Sequence, residues 1–251
     1  MKVLKFKLSG KSAFFKKPDV NSHFYFTYGN IHKVALMGMF GAILGYSGYN
    51  KFRYNLDNDK NYKEVYPEFY QKLKHIKIGI EPLAKNGSIP KKIQIFNNSV
   101  GYASQEQGGN LIVKEQWLEN PSWNIYVLLD NDESNKIAEY ISNYKSIYQP
   151  YLGKNDHYAN ISEVEIFEGI KNEDDIQRIH SLCKADCLEL DLEEDDDSEE
   201  DLFKYSEKLP IGLSEETNMY LLDSFIYSNM YVESIDSNDL YRVNDKNIVF
   251  F

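Results

Sequence analysis

The chain has 251 residues, of which 42% are hydrophobic and 14% aromatic, so it can bury a core without disulfides or structural metal. Its formal charge of −11, taken whole, argues against a nucleic-acid binder. The charge is uneven, because residues 1–100 hold 17 basic and 6 acidic residues whereas residues 101–251 hold 11 and 33. Eleven of the acids lie between Asp186 and Asp201. Such asymmetry suggests a basic binding surface and a separate acidic segment.

The N-terminus alternates lysine with apolar residues, which predicts a half-buried strand over Lys2–Leu8. Its apolar face would enter the core, and its outer face would carry Lys5 and Lys7. This pattern lacks the uninterrupted apolar core of a signal peptide, and the longest apolar run, Val34–Tyr46, is too short to span a bilayer. We therefore expect no membrane partner, and Cys183 and Cys187, which are expected to be reduced, indicate a cytoplasmic protein.

A helix is predicted over about residues 31–46, with Asn30 as its N-terminal cap. Four glycines recur in and after this helix at spacings of three, four and three, which predicts a narrow stripe where another backbone approaches closely. They are Gly38, Gly41, Gly45 and Gly48. A second helix is predicted within Tyr62–His75, starting near Pro67.

Strands and a hairpin are predicted next. Ile76–Pro82 alternates as a strand. Between Lys85 and Trp117 the sequence predicts a long hairpin that projects from the body, with apolar arms at Ile93–Phe96 and Leu111–Val113. Trp123–Leu129 then alternates as another strand.

The best-defined amphipathic helix is predicted from an acidic start at Asp130–Glu133 to about residue 148, with Pro150 after its end. Ile161–Phe167 follows as a strand. Leu188–Asp201 is too acidic to bury a core and is predicted to be solvated or disordered. Apolar residues return from Leu209 onward, and the chain closes with the strand-like Ile248–Phe251.

Without the hairpin and the short second helix, the order of elements is strand, helix, strand, strand, helix, strand. This is the ferredoxin-like or RNA-recognition layout, in which two helices cover one face of an antiparallel sheet. We therefore predict an α+β fold. Its parts would be a ferredoxin-like domain over 1–185 with a hairpin inserted at about 85–118, an acidic flexible segment over 186–207 and a small C-terminal β extension over 208–251.

Motifs for metal or cofactor chemistry are incomplete. Ser9–Ser12 is similar to the end of a phosphate-binding loop, but Lys5 stands where that motif needs a glycine. Cys183 and Cys187 have no further zinc ligands beside them and are expected to be reduced, and the five histidines are scattered. The glycine stripe does not follow a strand through a tight turn, as a dinucleotide-binding motif would. The sequence therefore predicts no metal and no cofactor.

Aromatic and basic residues crowd around the N-terminus of the first predicted helix. Residues 1–54 contain nine Lys or Arg residues and one acid, Asp19. Single-stranded RNA is bound by positive charge, aromatic faces and helix N-termini, and this segment offers all three. Composition alone fits equally well a basic loop whose aromatic residues pack inward. The cluster comprises Phe14, Phe15, Lys16, Lys17, His23, Tyr25, Tyr28, His32 and Lys33.

Three motifs resemble one protein family. His32–Tyr49, HKVALMGMFGAILGYSGY, is similar to the helix pattern P-x-S-A-L-x-G-x-L-G-A-I-L-G, although His32 and Lys33 stand where prolines are usual. Pro150–Asp156, PYLGKND, resembles the turn P-x-Y-L-G-[KR]-[NS]-[DE], and Asn247–Phe251 resembles the C-termini of the type I-B branch. In this order the motifs resemble the CRISPR-associated RAMP superfamily, in particular Cas-five, the handle-binding subunit of type I Cascade complexes.

The resemblance implies a ferredoxin-like palm, a protruding hairpin thumb and a non-catalytic subunit that caps the 5′ handle of crRNA in defence against foreign DNA. The implied partners are the handle, the backbone subunits and the large subunit that reads the PAM, with target DNA near the PAM as a further one. The implied phosphate contacts are Lys5, Lys7, Lys11, Lys16, Lys17 and Lys33. The implied base-stacking residues are Tyr28, His32, Tyr102 and Trp117. Lys154 and Asn155 are expected near the RNA.

Two other functions stay open at this point. In the type I-C branch this subunit cleaves precursor crRNA without metal, and His32, Tyr28 and Lys33 could supply the base, the acid and the cation for such a reaction. Alternatively, the chain is an interaction scaffold whose acidic segment binds a basic partner and whose N-terminal lysines are incidental. Deletion of Asp186–Asp201 would separate the scaffold from the RNA binder.

Overall fold

A computed structural model describes residues 1–19, 24–99, 101, 105, 107, 109–171, 176–191 and 201–251. Within these residues the helices are α1 (Lys33–Leu44), α2 (Tyr49–Asn58), α3 (Glu68–Leu73) and α4 (Asp132–Ser142). The strands are β1 (Lys2–Ser9), β2 (Ser12–Ala13), β3 (Ile78–Pro82), β4 (Lys91–Asn97), β5 (Ile112–Glu119), β6 (Ser122–Leu128), β7 (Asn160–Lys171), β8 (Cys183–Lys184), β9 (Leu188–Leu190), β10 (Lys204–Leu213), β11 (Tyr220–Ser228), β12 (Val232–Ile235), β13 (Leu240–Val243) and β14 (Lys246–Val249). The fold is α+β, as predicted.

The central sheet has the strand order β14-β13-β7-β1-β6-β3, and every neighbouring pair in it is antiparallel. The period-two pattern of β1 places Phe6 opposite Ile125 of β6, which in turn lies opposite Ile80 of β3. These three side chains are buried in one core with Phe40 of α1 and Ile137 of α4. Helix α1, which follows β1, and helix α4, which follows β6, therefore cover the same face of the sheet.

The C-terminus closes over part of the opposite face. β13 pairs with β7 at one edge of the sheet, and Phe251 exchanges two backbone hydrogen bonds of 3.1 Å with Ile78 at the other edge. Gly79 permits this approach, because a Cβ there would lie 2.5 Å from Ile248 Cγ2. Val3, Tyr126 and Phe250 belong to the second core that this closure creates.

The start and end of α1 differ from the prediction. The N-terminal cap is His32, whose Nδ1 accepts the Ala35 N–H at 3.2 Å. Asn30 is instead buried, where its Oδ1 accepts the Trp123 Nε1–H at 2.9 Å. The helix ends at Leu44, because Gly45 takes the left-handed conformation with φ of 78° and its N–H bonds back to the last turn.

The prediction that four glycines form one stripe for close backbone approach is wrong. A Cβ on Gly41 would lie 2.6 Å from the Cβ of Phe69 in α3. Of the four glycines, only Gly41 therefore makes room for a neighbouring helix by its lack of a side chain. Gly45 ends the helix, and neither Gly38 nor Gly48 has an atom within 4 Å of an added Cβ. Gly48 is the N-terminal cap of α2, a helix that the sequence pattern did not indicate.

Two predicted helices are shorter than expected. α3 forms with Pro67 at its cap but covers only six residues. α4 ends at Ser142 and not near residue 148, because the main chain beyond it turns toward α1. There the N–H groups of Ile147 and Tyr148 donate to the Ile43 and Ala42 carbonyls in the last turn of α1.

β4 and β5 pair as antiparallel arms, with Lys91 opposite Leu118 and Asn97 opposite Ile112, and β2 adds to the other edge of β5. Of the predicted acidic segment, residues 188–190 form β9, whereas residues 192–200 lie outside the described part of the chain. β10 places Leu209 in the same core as β1. Among the helices described here, none combines the length and the apolar character that crossing a bilayer requires.

Candidate nucleic-acid interface

Three segments far apart in the sequence meet along β5: the segment that contains Phe14 and Tyr25, the β4–β5 hairpin itself and the turn over residues 150–157. Tyr25 joins the first segment to β5, since its N–H donates to the Lys114 carbonyl at 2.8 Å and its own carbonyl accepts the Gln116 N–H at 2.9 Å. The turn over residues 150–157 joins from the other side, because the Phe14 N–H donates to the Leu152 carbonyl at 3.1 Å. Gly153 is required there, because a Cβ would lie 2.0 Å from the Phe14 carbonyl oxygen.

Each of these three segments places a lysine over an aromatic ring. The ammonium of Lys16 lies 3.9 Å from the centroid of Tyr25, that of Lys114 lies 5.5 Å from Phe24, and that of Lys154 lies 5.0 Å from Phe96. Such cation–π contacts hold a positive charge beside an aromatic face. We call the region they form with Trp117 the basic-aromatic surface, which covers both faces of β5, because Lys114 points away from the face that carries Trp117; its residues are Lys16, Phe24, Tyr25, Phe96, Lys114, Trp117 and Lys154.

Trp117 is held by a hydrogen-bonded layer below this surface. Its Nε1–H donates to Glu115 at 2.7 Å, and its ring lies edge-on to His157 with 4.5 Å between centroids. His157 is buried, with Nδ1 2.7 Å from Ser12 Oγ, and burial lowers its pKa. The imidazole therefore supports the tryptophan as a packing partner.

The other cations predicted for RNA differ in availability. Lys11 is exposed, as is Asn155 in the turn. Lys17 lies 5.1 Å from the centroid of the Tyr28 ring and forms an ion pair with Glu207 of β10 at 3.4 Å. Lys11 and Asn155 thus extend the accessible polar surface, whereas Lys17 is engaged with the C-terminal strands.

Lys5 and Lys7 lie on the outer face of β1, as predicted, but that face is not basic. Neighbouring β7 carries Glu163 and Glu165, both within 4.0 Å of Lys5, and Glu163 also pairs with Lys7 at 3.0 Å. Strand pairing thus balances the charge of both lysines, and we leave them out of the candidate interface.

Tyr28 and His32 are buried, with 3% and 2% of their surface exposed, so neither offers a free ring face to a base. The rings of Tyr28 and Tyr220 pack against His32 with centroids 5.2 and 5.5 Å away. Burial raises the pKa of Tyr28 to about 12 and lowers that of His32 to about 3. We therefore leave both out of the interface.

Lys33, the first residue of α1, is half-buried. Burial, with a smaller effect from the charge of Lys184, lowers its pKa to about 8. The predicted stacking residue Tyr102 lies outside the described residues.

Sequence reasoning missed Glu115, Phe96, Lys114 and Tyr220. The period-two pattern of the hairpin contained the signal for Glu115, because residues 115 and 117 of a strand point to the same face. No local signal indicated Lys114 or Tyr220, because their neighbours come from distant parts of the chain.

No family model matches this chain, and no curated protein matches it. Solved structures do match this chain. A chain of a structure titled "CRISPR RNA-guided surveillance complex" aligns over 94% of this chain and 93% of its own length, with a TM-score of 0.52 and 11% identity. A CRISPR protein from Archaeoglobus fulgidus aligns over 99% and 98%, with a TM-score of 0.52 and 9% identity. The chain therefore has the fold of these CRISPR-associated proteins, which agrees with the fold that the motif resemblance implied.

Proposed function

We propose that this chain is a non-catalytic subunit of a type I, I-B-like, CRISPR Cascade complex that binds and caps the 5′ handle of crRNA. The observation that carries the proposal is the basic-aromatic surface. Proteins hold single-stranded RNA by combining cations for the phosphates with aromatic faces for unstacked bases. Here, within the described part of the chain, Lys16 and Lys114 supply cations without a paired carboxylate, and four aromatic rings lie with them around β5.

The fold supports the finer assignment. The four strands in the order β7-β1-β6-β3, with α1 and α4 on one face, fit a ferredoxin-like palm. The β4–β5 hairpin would then be the thumb, with the basic-aromatic surface along its strand β5. We propose that the hairpin and the palm contact the backbone subunits and the large PAM-reading subunit, and that target DNA near the PAM passes close by.

RNA binding is tested first with the purified full-length chain and a labelled single-stranded oligouridine. We expect binding that weakens steeply with salt, because the contacts are to phosphates. Double-stranded DNA of the same length is the control and should bind more weakly, because its stacked bases offer no free faces. Binding that does not change with salt would contradict the proposal.

Handle capping is tested in the assembled complex. Cascade assembled with this chain should protect the 5′ handle of crRNA from ribonuclease, and Cascade assembled without it should not. Equal protection in both complexes would show that another subunit holds the handle.

The absence of catalysis is tested with repeat RNA in the presence of EDTA, where we expect the RNA to stay intact. Supporting this expectation, the imidazole of the candidate base His32 is buried and its Nδ1 already accepts the Ala35 N–H. A discrete cut that His32→Ala abolishes would instead establish the metal-independent endoribonuclease.

A further inference from the structure

Beneath the basic-aromatic surface, Glu115 of β5 is almost fully buried, with 5% of the residue exposed. Lys154 Nζ donates to its two carboxylate oxygens at 3.1 and 3.3 Å, and Trp117 Nε1 donates to one of them at 2.7 Å. A buried carboxylate stays ionised only when charges and donors of this kind compensate it. The three side chains therefore depend on one another.

The three segments of the surface are joined at this carboxylate. Glu115 belongs to the hairpin, and Lys154 belongs to the turn over residues 150–157, so their ion pair ties the hairpin to the turn. The backbone of Tyr25 hydrogen-bonds to Lys114 and Gln116, the residues on either side of Glu115. A change at Glu115 would thus reach every segment that supplies a lysine to the surface.

Lys154 has little capacity left for a phosphate. Its ammonium lies 3.8 Å from Asp156 in addition to its bonds with Glu115, and only 33% of its side chain is exposed. A phosphate that captured Lys154 would leave Glu115 buried and unpaired, which is strongly unfavourable. Among the residues that the structure describes, no carboxylate lies within ion-pair distance of Lys16 or Lys114.

We propose that Glu115 is a positioning residue for RNA binding. It holds Lys154, and with it the turn, against the hairpin, so that the lysines and aromatic rings on the two faces of β5 keep their relative positions. Lys154 acts through Glu115 and not as a phosphate ligand. The inference rests on the proposed function, because it concerns the same RNA-binding surface.

The test is Glu115→Gln in the full-length chain, with the labelled oligouridine titrated at several salt concentrations. Simple electrostatics predicts tighter binding, because a negative charge is removed. Positioning predicts binding weaker by about fivefold to tenfold with an unchanged salt slope, because the surface loosens while no phosphate contact is lost. Binding as tight as that of the wild type, or tighter, would overturn the inference.

Glu119→Gln is the matched control. Glu119 lies on the same strand and pairs with Lys92 at 3.7 Å, but both side chains are exposed. The Glu119→Gln variant should bind oligouridine at least as tightly as the wild type, because an exposed ion pair of this kind contributes little to the position of the strand.

Lys154→Met gives an independent measurement. We expect the same loss of affinity with an unchanged slope, whereas a slope that falls by about 0.7 would make Lys154 a phosphate ligand and overturn the inference. Lys154→Arg keeps the ion pair and should bind within about twofold of the wild type.

The double variant Glu115→Gln/Lys154→Met leaves no unpaired buried charge, so it serves if a single variant does not fold. It should be no weaker than either single variant, since both act through one contact. Wild-type protein that fails to bind oligouridine would refute the proposed function itself. Wild-type protein that binds, together with an equally tight Glu115→Gln variant, would refute only the role of Glu115.

Discussion

The N-terminus of α1 and the basic-aromatic surface around β5 are both rich in lysine and aromatic residues, yet they differ in exposure. At the N-terminus of α1, Tyr220 packs over His32, and Glu207 accepts the Gly29 N–H with both oxygens at 2.9 Å. On the basic-aromatic surface, Lys16 is exposed and lies over the exposed ring of Tyr25. The C-terminal strands thus cover the first cluster and leave the second accessible.

This difference teaches that the partners of a lysine decide its use more than its position in a basic segment does. An ammonium that lies over an aromatic ring with no carboxylate beside it keeps its charge for a phosphate, whereas an ammonium paired with a carboxylate has that charge balanced. The net charge of −11 is equally uninformative, because positive charge that is local can still attract RNA.

The largest expected effect comes from removing two cations of the basic-aromatic surface. Lys16→Ala/Lys114→Ala should lower the salt slope of oligouridine binding by about 1.4 and the affinity at 0.1 M salt by about 25-fold, because two phosphate contacts are lost. Lys5→Ala/Lys7→Ala is the control with the same change in charge, and it should stay within about twofold of the wild type. Equal losses in both variants would erase the distinction between paired and available lysines.

A smaller effect is expected from the titration of buried His32. Its folded pKa of about 3 lies below the unfolded value of about 6.5, so only the unfolded chain takes up this proton between those values and stability falls as pH falls. Lowering the pH from 7.5 to 5.5 should cost about 1.4 kcal/mol from this residue, measured by urea unfolding. His32→Asn keeps an acceptor for the Ala35 N–H and should lose this part of the pH dependence. An unchanged pH dependence would mean that His32 is accessible to protons in the folded state.

A smaller change still is expected from Glu207→Gln, which weakens the cover over α1. Gly29, Tyr205 and Lys17 lose a charged partner, so we expect stability to fall by about 1 kcal/mol in thermal unfolding. Oligouridine binding should rise by about twofold, because Lys17 is released. Exposed Glu216→Gln is the control and should change neither quantity. Weaker RNA binding without any loss of stability would place the N-terminus of α1 in the interface.

Much of the fold could be predicted from periodicity. The alternation of β1, β6 and β7 and the apolar run of α1 are local patterns, and each formed the element expected of it. The ends of the helices could not be predicted, because α4 stops where its following residues bond to α1, a contact between distant segments. Leu188, at the start of a strongly acidic stretch, is buried because β9 pairs with β12.

The sequence by itself determined the α+β class, the hairpin, the resemblance to CRISPR-associated proteins and the concentration of lysine and aromatic residues in the first part of the chain. Only the tertiary structure decided which of those lysines stay available. Strand pairing set Lys5 and Lys7 beside the glutamates of β7, and β11 covered His32. The hairpin meanwhile brought Lys114 next to Phe24. Charge availability depends on neighbours in space, and most of these neighbours lie far along the chain.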